Sequence, residues 1–455
     1  MKLKTILAII ICGFFAASSQ ASDVLAQLNA LDKVTAQETT KPEDKKGGLK
    51  RFLISIEQPT DHSDSKSASF KQKLVLFHRD FNEPMVLQTS GYNIYSEKMT
   101  RLASAFNANQ LQIEHRFFDS SSPTPKDWTK LDIRQSAEDF HVIVTTFKKL
   151  YGQRWVATGA SKGGMTSVYH RRFYPNDLDG TVADVAPLSF SLEDQRYPEF
   201  VDNVGGGRYA ECRAQLEVVQ KTMLKNKQSL MELFDGVFTQ LGSKEVGLEH
   251  AISEMPFIFW QYGNPETATA NCRNIPAEKA SASELFEFLK GANDPTQYAD
   301  PTLHSFLPYY YQAAAELGAP ALKLSHLLEL LKFPYTIEQY LPKDQNVSYR
   351  EAAMQDIKSW VADKAEGIMF VYGEFDPWTA GAFRDIRSGD NHFFLVEGGN
   401  HGVSFNSLKG AERDRAMSVL SRWFNKSEVP LPSFDFRNTF LEDVEFKMRR
   451  NLRGL

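Results

Sequence analysis

Between residues 85 and 185 the chain repeats one rhythm: a short apolar run, a break containing Gly, Ser or Pro, then a longer stretch with helical spacing. The apolar runs are Met85-Val86-Leu87, Leu111-Gln112-Ile113, Trp155-Val156-Ala157 and Val182-Ala183-Asp184-Val185, and the helical stretches are 133–149 and 163–174. Strands this short and apolar are covered on both faces, and the helices between them supply the cover, so the pattern predicts a mostly parallel sheet. Two runs ahead of it, 52–56 and 74–77, flank the turn-rich Asp61-His62-Ser63-Asp64-Ser65 and read as adjacent antiparallel strands. Over 190–366, some 175 residues, the rhythm stops and mainly amphipathic helical patterns remain, as at 216–233, 283–289 and 322–331. It resumes with strands at 368–372 and 393–396 and a helix over 408–424. The expected architecture is an α/β core built from 51–189 and 367–455, interrupted by a helical cap at 190–366.

The start of the chain reads differently. Lys2 and Lys4 precede an apolar run over 6–17, and Ser19-Gln20-Ala21 places small residues where a signal peptidase cuts, so 1–21 reads as a cleaved signal and 22–50 as a polar leader. Twelve apolar residues fall short of the roughly 20 that span a bilayer, so no membrane span is expected after its removal. The expected location is periplasmic or secreted. Cleavage removes two lysines and no acids, taking the formal charge from -5 to -7. With 52 basic against 57 acidic side chains there is no basic field for a nucleic-acid backbone. Cleavage also removes Cys12 and leaves Cys212 and Cys272, which either pair in an oxidising compartment or stay as two buried thiols. No metal-ligand spacing and no phosphate-cradling loop occurs, so neither metal nor cofactor is expected.

Gly159-Ala160-Ser161-Lys162-Gly163 fits G-x-S-x-G at the junction of a predicted strand and helix. A nucleophilic serine there needs small neighbours, because the turn is strained and strand and helix approach closely. Serine also needs a base, and the base needs a carboxylate to fix its tautomer. Asp376 in Tyr372-Gly373-Glu374-Phe375-Asp376-Pro377-Trp378 and His401 in Glu397-Gly398-Gly399-Asn400-His401-Gly402 each follow a predicted strand. The order Ser, Asp, His is that of the α/β-hydrolase fold. His392 reads as a strand-edge residue, while His115, His141 and His170 stand in the wrong chain order; Glu374 and Asp385 are the alternative acids. For the oxyanion, the Lys162 N–H is one expected donor. The turn Gln88-Thr89-Ser90-Gly91-Tyr92 is expected to supply the second, Gly91 permitting close approach and Tyr92 giving its amide.

These flanks resemble the secreted prolyl tri/tetrapeptidyl aminopeptidases and, more distantly, the lysosomal prolyl carboxypeptidase and dipeptidyl peptidase II group. The resemblance runs through Gln58-Pro59-Thr60-Asp61-His62, Thr89-Ser90-Gly91-Tyr92, Glu114-His115-Arg116-Phe117-Phe118, Gly159-Ala160-Ser161-Lys162-Gly163-Gly164, Tyr309-Tyr310-Tyr311-Gln312, Asp376-Pro377-Trp378 and Gly398-Gly399-Asn400-His401. It implies an α/β hydrolase with a helical cap, acting as a serine exopeptidase on peptide N-termini, often after proline. An acid on the inner wall of such a cap could pair with a free α-amine, and Glu114 and Glu316 are the candidates because they sit in family-like segments. Phe257, Phe259, Trp260, Tyr309 and Tyr310 could line a pocket for a proline ring or form the core of the cap.

Overall fold

The computed structural model describes residues 24–40, 49–263, 272–387 and 389–428. The predicted signal and the stretch 429–455 lie outside them. One nine-stranded sheet runs in the order β1-β2-β3-β5-β4-β6-β7-β8-β9. The strands are β1 Val34–Thr39, β2 Lys50–Pro59, β3 Ser69–His78, β4 Met85–Thr89, β5 Asn109–Ile113, β6 Trp155–Ala160, β7 Gly180–Asp184, β8 Ile368–Gly373 and β9 His392–Val396. From β1 to β5 the pairing is antiparallel, with Phe52 opposite Leu76 and Ile54 opposite Leu74; from β5 through β4 to β9 every pairing is parallel.

The parallel strands are apolar on both faces because both are covered, and the alternation of side chains along a strand separates the two cores. Leu87, Leu111 and Trp155 face α1 (Ile133–Phe147), through Phe140, Ile143 and Phe147. Val86, Val156, Met369 and Val371 face the opposite way, against Val419, Leu420 and Trp423 of the helix Gly410–Phe424. In β8 the intervening Ile368, Phe370 and Tyr372 return to the first face, beside α2 (Lys162–Phe173).

The cap builds its own core. Its central helix, α3 (Lys244–Tyr262), buries Leu248, Ile252, Met255 and Trp260 against Leu216, Val219 and Met223 of the helix Ala210–Lys225 and Leu285 and Leu289 of the helix Ala282–Asn293. A helix apolar nearly all round belongs inside such a bundle. Among the described residues of the cap the only β pairing is an isolated bridge between Asp194 and Pro320.

Three expectations are corrected. The supposed leader contributes a helix, Val24–Asn29, and the edge strand β1, because Val24, Leu28, Val34 and Ala36 are apolar enough to join the core. Leu322 to Leu331 is a run of turns, with Leu327 N–H bonded to Leu324 O and Leu330 N–H to Leu327 O. Leu324, Leu327, Leu330 and Leu331 still meet the cap core, which is what their spacing encoded. The helix Glu351–Asp363, inside the expected cap, packs Met354, Ile357 and Val361 on β8 and α2 instead, so the core resumes about fifteen residues early.

Cys212 and Cys272 are joined, closing a loop 60 residues apart in sequence. Replacing both by serine should lower cap stability by about 2–4 kcal/mol. Thermal melting of the double variant against wild type, with and without reductant, measures it; reductant should shift wild type only.

Candidate active site

Ser161 stands between β6 and α2 with φ 55° and ψ -127°, a left-handed conformation that costs a non-glycine residue about 1–3 kcal/mol. Its neighbours show why the turn needs glycine. A Cβ on Gly159 would lie 2.4 Å from the Gly163 carbonyl, and one on Gly163 would lie 2.4 Å from Thr89 O. The turn is held by the Ser161 N–H on Asp184 O at 2.9 Å and by Thr89 Oγ1 on Gly163 O at 2.7 Å. Ser161 is half-buried, so its hydroxyl stays reachable at the carboxyl end of the parallel strands, where open α/β sheets place their ligands.

Asp376 follows β8 and caps a short 3-10 helix, Pro377–Gly381, accepting from Trp378 N–H at 3.1 Å. Its other oxygen is 2.7 Å from Nδ1 of His401 on the loop after β9. Both side chains are buried, at 0% and 3% exposure, so this bond is shielded from water. Loop closure depends on Gly373, whose absent Cβ leaves room for Asn400 O at 2.5 Å, and on Phe375 N–H bonding Gly399 O at 2.8 Å. Nε2 of His401 is buried and has no hydrogen-bond partner among the described residues. The alternative acids are elsewhere: Glu374 accepts from Gly398 N–H, and the exposed Asp385 faces Arg387. The competing histidines are held elsewhere, His141 and His170 sharing Asp177, His392 bonding Asp390, and His115 bonding Arg116 O.

The turn after β4 reaches the elbow as the sequence suggested, but its amides are arranged differently. A Cβ on Gly91, at φ +73°, would fall 2.6 Å from Gly163 N, so only glycine fits. The Tyr92 N–H turns back to Ser90 Oγ at 3.2 Å, closing a local turn, whereas no partner is found for the N–H groups of Gly91 and Lys162 among the described residues. The Lys162 side chain was not singled out by sequence. It is buried, donates to Gly91 O at 2.6 Å and lies 5.4 Å from the ring centres of Tyr92 and Phe118. Burial lowers its pKa to about 7, against the pull of Glu316.

The two carboxylates proposed for an α-amine are occupied. Glu114 accepts from Ser120 Oγ, from Ser121 N–H and Oγ, and from Ile94 N–H. Glu316 accepts from Ile133 N–H at 2.6 Å, at the start of α1, and from Arg350 at 3.1 Å. Those contacts make both part of the scaffold. Phe257, Phe259 and Trp260 are buried in the cap, whereas Tyr309 and Tyr310 are half-buried. Among the described residues no group of three or more His, Cys, Asp or Glu could hold a metal, and no helix is long and apolar enough to cross a membrane.

A family model described as PS-10 peptidase S37 matches residues 17–431. The chain is similar to the prolyl tri/tetrapeptidyl aminopeptidase of Streptomyces mobaraensis, at 36% identity over 415 residues that cover 85% of each protein. A probable serine protease of Arabidopsis thaliana is similar at 24% identity over 263 residues, 51% of this chain and 50% of that one. Among solved structures, VinJ is similar at 15% identity over 82% of this chain and 98% of that one, with a TM-score of 0.43.

Burial raises the Glu316 carboxyl from its ordinary 4.5 to about 7, with Asp132 adding to the shift and Arg350 opposing it. The folded state therefore keeps a proton that the unfolded chain has lost, and the associated stability is full below pH 4.5 and lost as pH rises through 7. Glu316→Gln keeps an acceptor for Ile133 and has no such loss. Its melting temperature relative to wild type should climb between pH 4.5 and 7, in a series of melts at constant ionic strength.

Proposed function

From its membership of the PS-10 peptidase S37 family, to which the chain belongs, we propose that this serine peptidase releases tri- and tetrapeptides from free N-termini, cutting after proline. The observation that carries the catalytic reading is His401: Nδ1 bonded to a buried carboxylate, Nε2 buried and without a partner among the described residues. A base so arranged has its tautomer fixed and its lone pair unused.

In this reading the Ser161 oxygen attacks the scissile carbonyl while its proton passes to His401 Nε2. Asp376 stays ionised, holding the ring and stabilising the imidazolium. The oxyanion of the tetrahedral intermediate is met by the Lys162 N–H, at the first turn of α2, and by the turn after β4, where the Gly91 N–H is the one left free. Collapse breaks the C–N bond, the imidazolium gives its proton to the leaving amine, and an ester on Ser161 remains. Water, deprotonated by His401, hydrolyses that ester and frees the short peptide. A cap over the serine favours chain ends over internal bonds. Export is part of the proposal: the lysine-flanked apolar run at the start and the Cys212–Cys272 bond both suit an oxidising compartment.

The test pairs Ser161→Ala with wild type on matched peptides whose N-termini are free or acetylated, and on simple esters. Wild type should cut free peptides faster, yield recurrent tri- and tetrapeptides, and be labelled at Ser161 by a fluorophosphonate. The variant should lose labelling and fall by at least 10³-fold in kcat/KM. Equal cleavage of free and acetylated peptides by wild type would overturn the aminopeptidase reading and leave a general serine hydrolase.

A further inference from the structure

With Glu114 and Glu316 satisfied by internal donors, the acid that would meet a free N-terminus must be sought elsewhere. Glu254, in the middle of α3, is held differently, by tyrosine hydroxyls and not by backbone amides or an arginine. Its side chain takes hydrogen bonds from the Tyr335 and Tyr298 hydroxyls, and no lysine, arginine or histidine pairs with it among the described residues. Burial accordingly raises its pKa above the usual carboxylate range, as expected of an acid without a counter-charge. It is nonetheless half-buried by surface area, so it stands at a wall that water reaches.

Tyrosines surround it, Tyr309 and Tyr310 half-buried and Tyr298 and Tyr340 buried in the cap core. Tyr298 donates to Glu254, and Tyr309, Tyr310 and Tyr340 lie within reach of its charge. The rings form a continuous series toward the reaction centre: Tyr340 to Tyr310 at 4.6 Å, Tyr310 to Tyr309 at 5.4 Å, and Tyr309 to Tyr92 at 5.8 Å, Tyr92 belonging to the turn beside Ser161. Aromatic faces beside a carboxylate with no cation next to it are a setting that attracts an alkylammonium.

The same helix ends at the catalytic histidine. His401 N–H bonds Gln261 O at 2.9 Å, Asn400 Nδ2 bonds Tyr262 O at 3.0 Å, and the Tyr262 ring lies 6.0 Å from that of His401. Gln261 and Glu254 are seven residues apart, hence on one side of α3, with about 10 Å of rise between them. An extended peptide advances about 3.3 Å per residue, so that rise corresponds to about three residues.

We propose that Glu254 binds the α-ammonium group of the substrate, with the surrounding tyrosines flanking it, and thereby sets how many residues lie between the N-terminus and the bond cut at Ser161. The proposal rests on the aminopeptidase reading above and names the residue that would enforce it. Glu254 touches no reacting atom; it selects and positions the substrate.

The experiment measures kcat/KM for matched free and acetylated peptides with wild type, Glu254→Gln and Glu254→Asp. Glutamine keeps the acceptor for Tyr335 and removes the charge. It should cut the preference for free over acetylated peptide on the order of 100-fold, mainly through KM. The melting temperature, fluorophosphonate labelling of Ser161 and turnover of a small ester should stay at wild-type levels. Aspartate should retain a preference for the free amine at a raised KM. An unchanged preference in E254Q, an equal fall on both substrates, or a wild-type KM in E254D would each overturn the assignment. Were E254Q to misfold, E254D alone would decide. Wild type without any preference for free peptides would instead sink the aminopeptidase reading, a result visible before any variant is made.

Discussion

Everything at the centre of this molecule depends on three pieces of backbone lying closer together than side chains would allow. The end of β6, the first turn of α2 and the turn after β4 meet around Ser161, at separations that exclude a Cβ from Gly159, Gly163 and Gly91. The strain of Ser161 is held by this crowding and by hydrogen bonds from Thr89 and to Asp184. A strained serine at the first turn of a helix has its hydroxyl turned outward and the free N–H of Lys162 beside it. In the proposed mechanism the nucleophile and an oxyanion donor are thus one consequence of one packing arrangement.

The cap is coupled to this centre through α3 more than through any loop. Its last turn accepts the backbone N–H of His401 and the side chain of Asn400, so the position of the base is shared between the α/β core and the cap. A helix buried on nearly all sides and fixed at one end to the catalytic loop is a stiff element. Groups along it keep a set distance from His401, which is what a device for measuring peptide length would require.

Much of this was legible in the sequence because the signals were local. The alternation of apolar runs with helical stretches reports burial on both faces of a parallel sheet, and it located β4 to β9 and both helices beside the elbow. Ser161, Asp376 and His401 stood out in the sequence because each lies in a short motif immediately after a strand, at the carboxyl end of the sheet. Three kinds of fact were not local. The edge strand at Val34–Thr39 turns only Val34 and Ala36 to the core, too few to mark a strand in the sequence, and it is completed by pairing with β2. The leucines of 322–331 have helical spacing, but spacing records which side faces the core and not how the backbone is bonded. Whether a carboxylate is free or satisfied is decided wholly by tertiary neighbours: Glu114 meets donors up to twenty residues before it, and Glu316 is bonded to an amide 183 residues away. Glu254, inside an unbroken helical run, carried no signal.

Lys162 shows how the same crowding handles a charge. Its ammonium lies at the elbow without a close acid, and burial brings its pKa to about 7, where both forms are populated near neutrality. The charged form is stabilised by the faces of Tyr92 and Phe118 and by the more distant Glu316. The neutral amine keeps its N–H groups, so it can still donate to Gly91 O, which lies 2.6 Å away. The tie between elbow and oxyanion turn therefore does not require the lysine's charge. Loss of a proton here changes the field near the serine while leaving the geometry of the donors in place, and the turn after β4 stays where the glycines allow it to be.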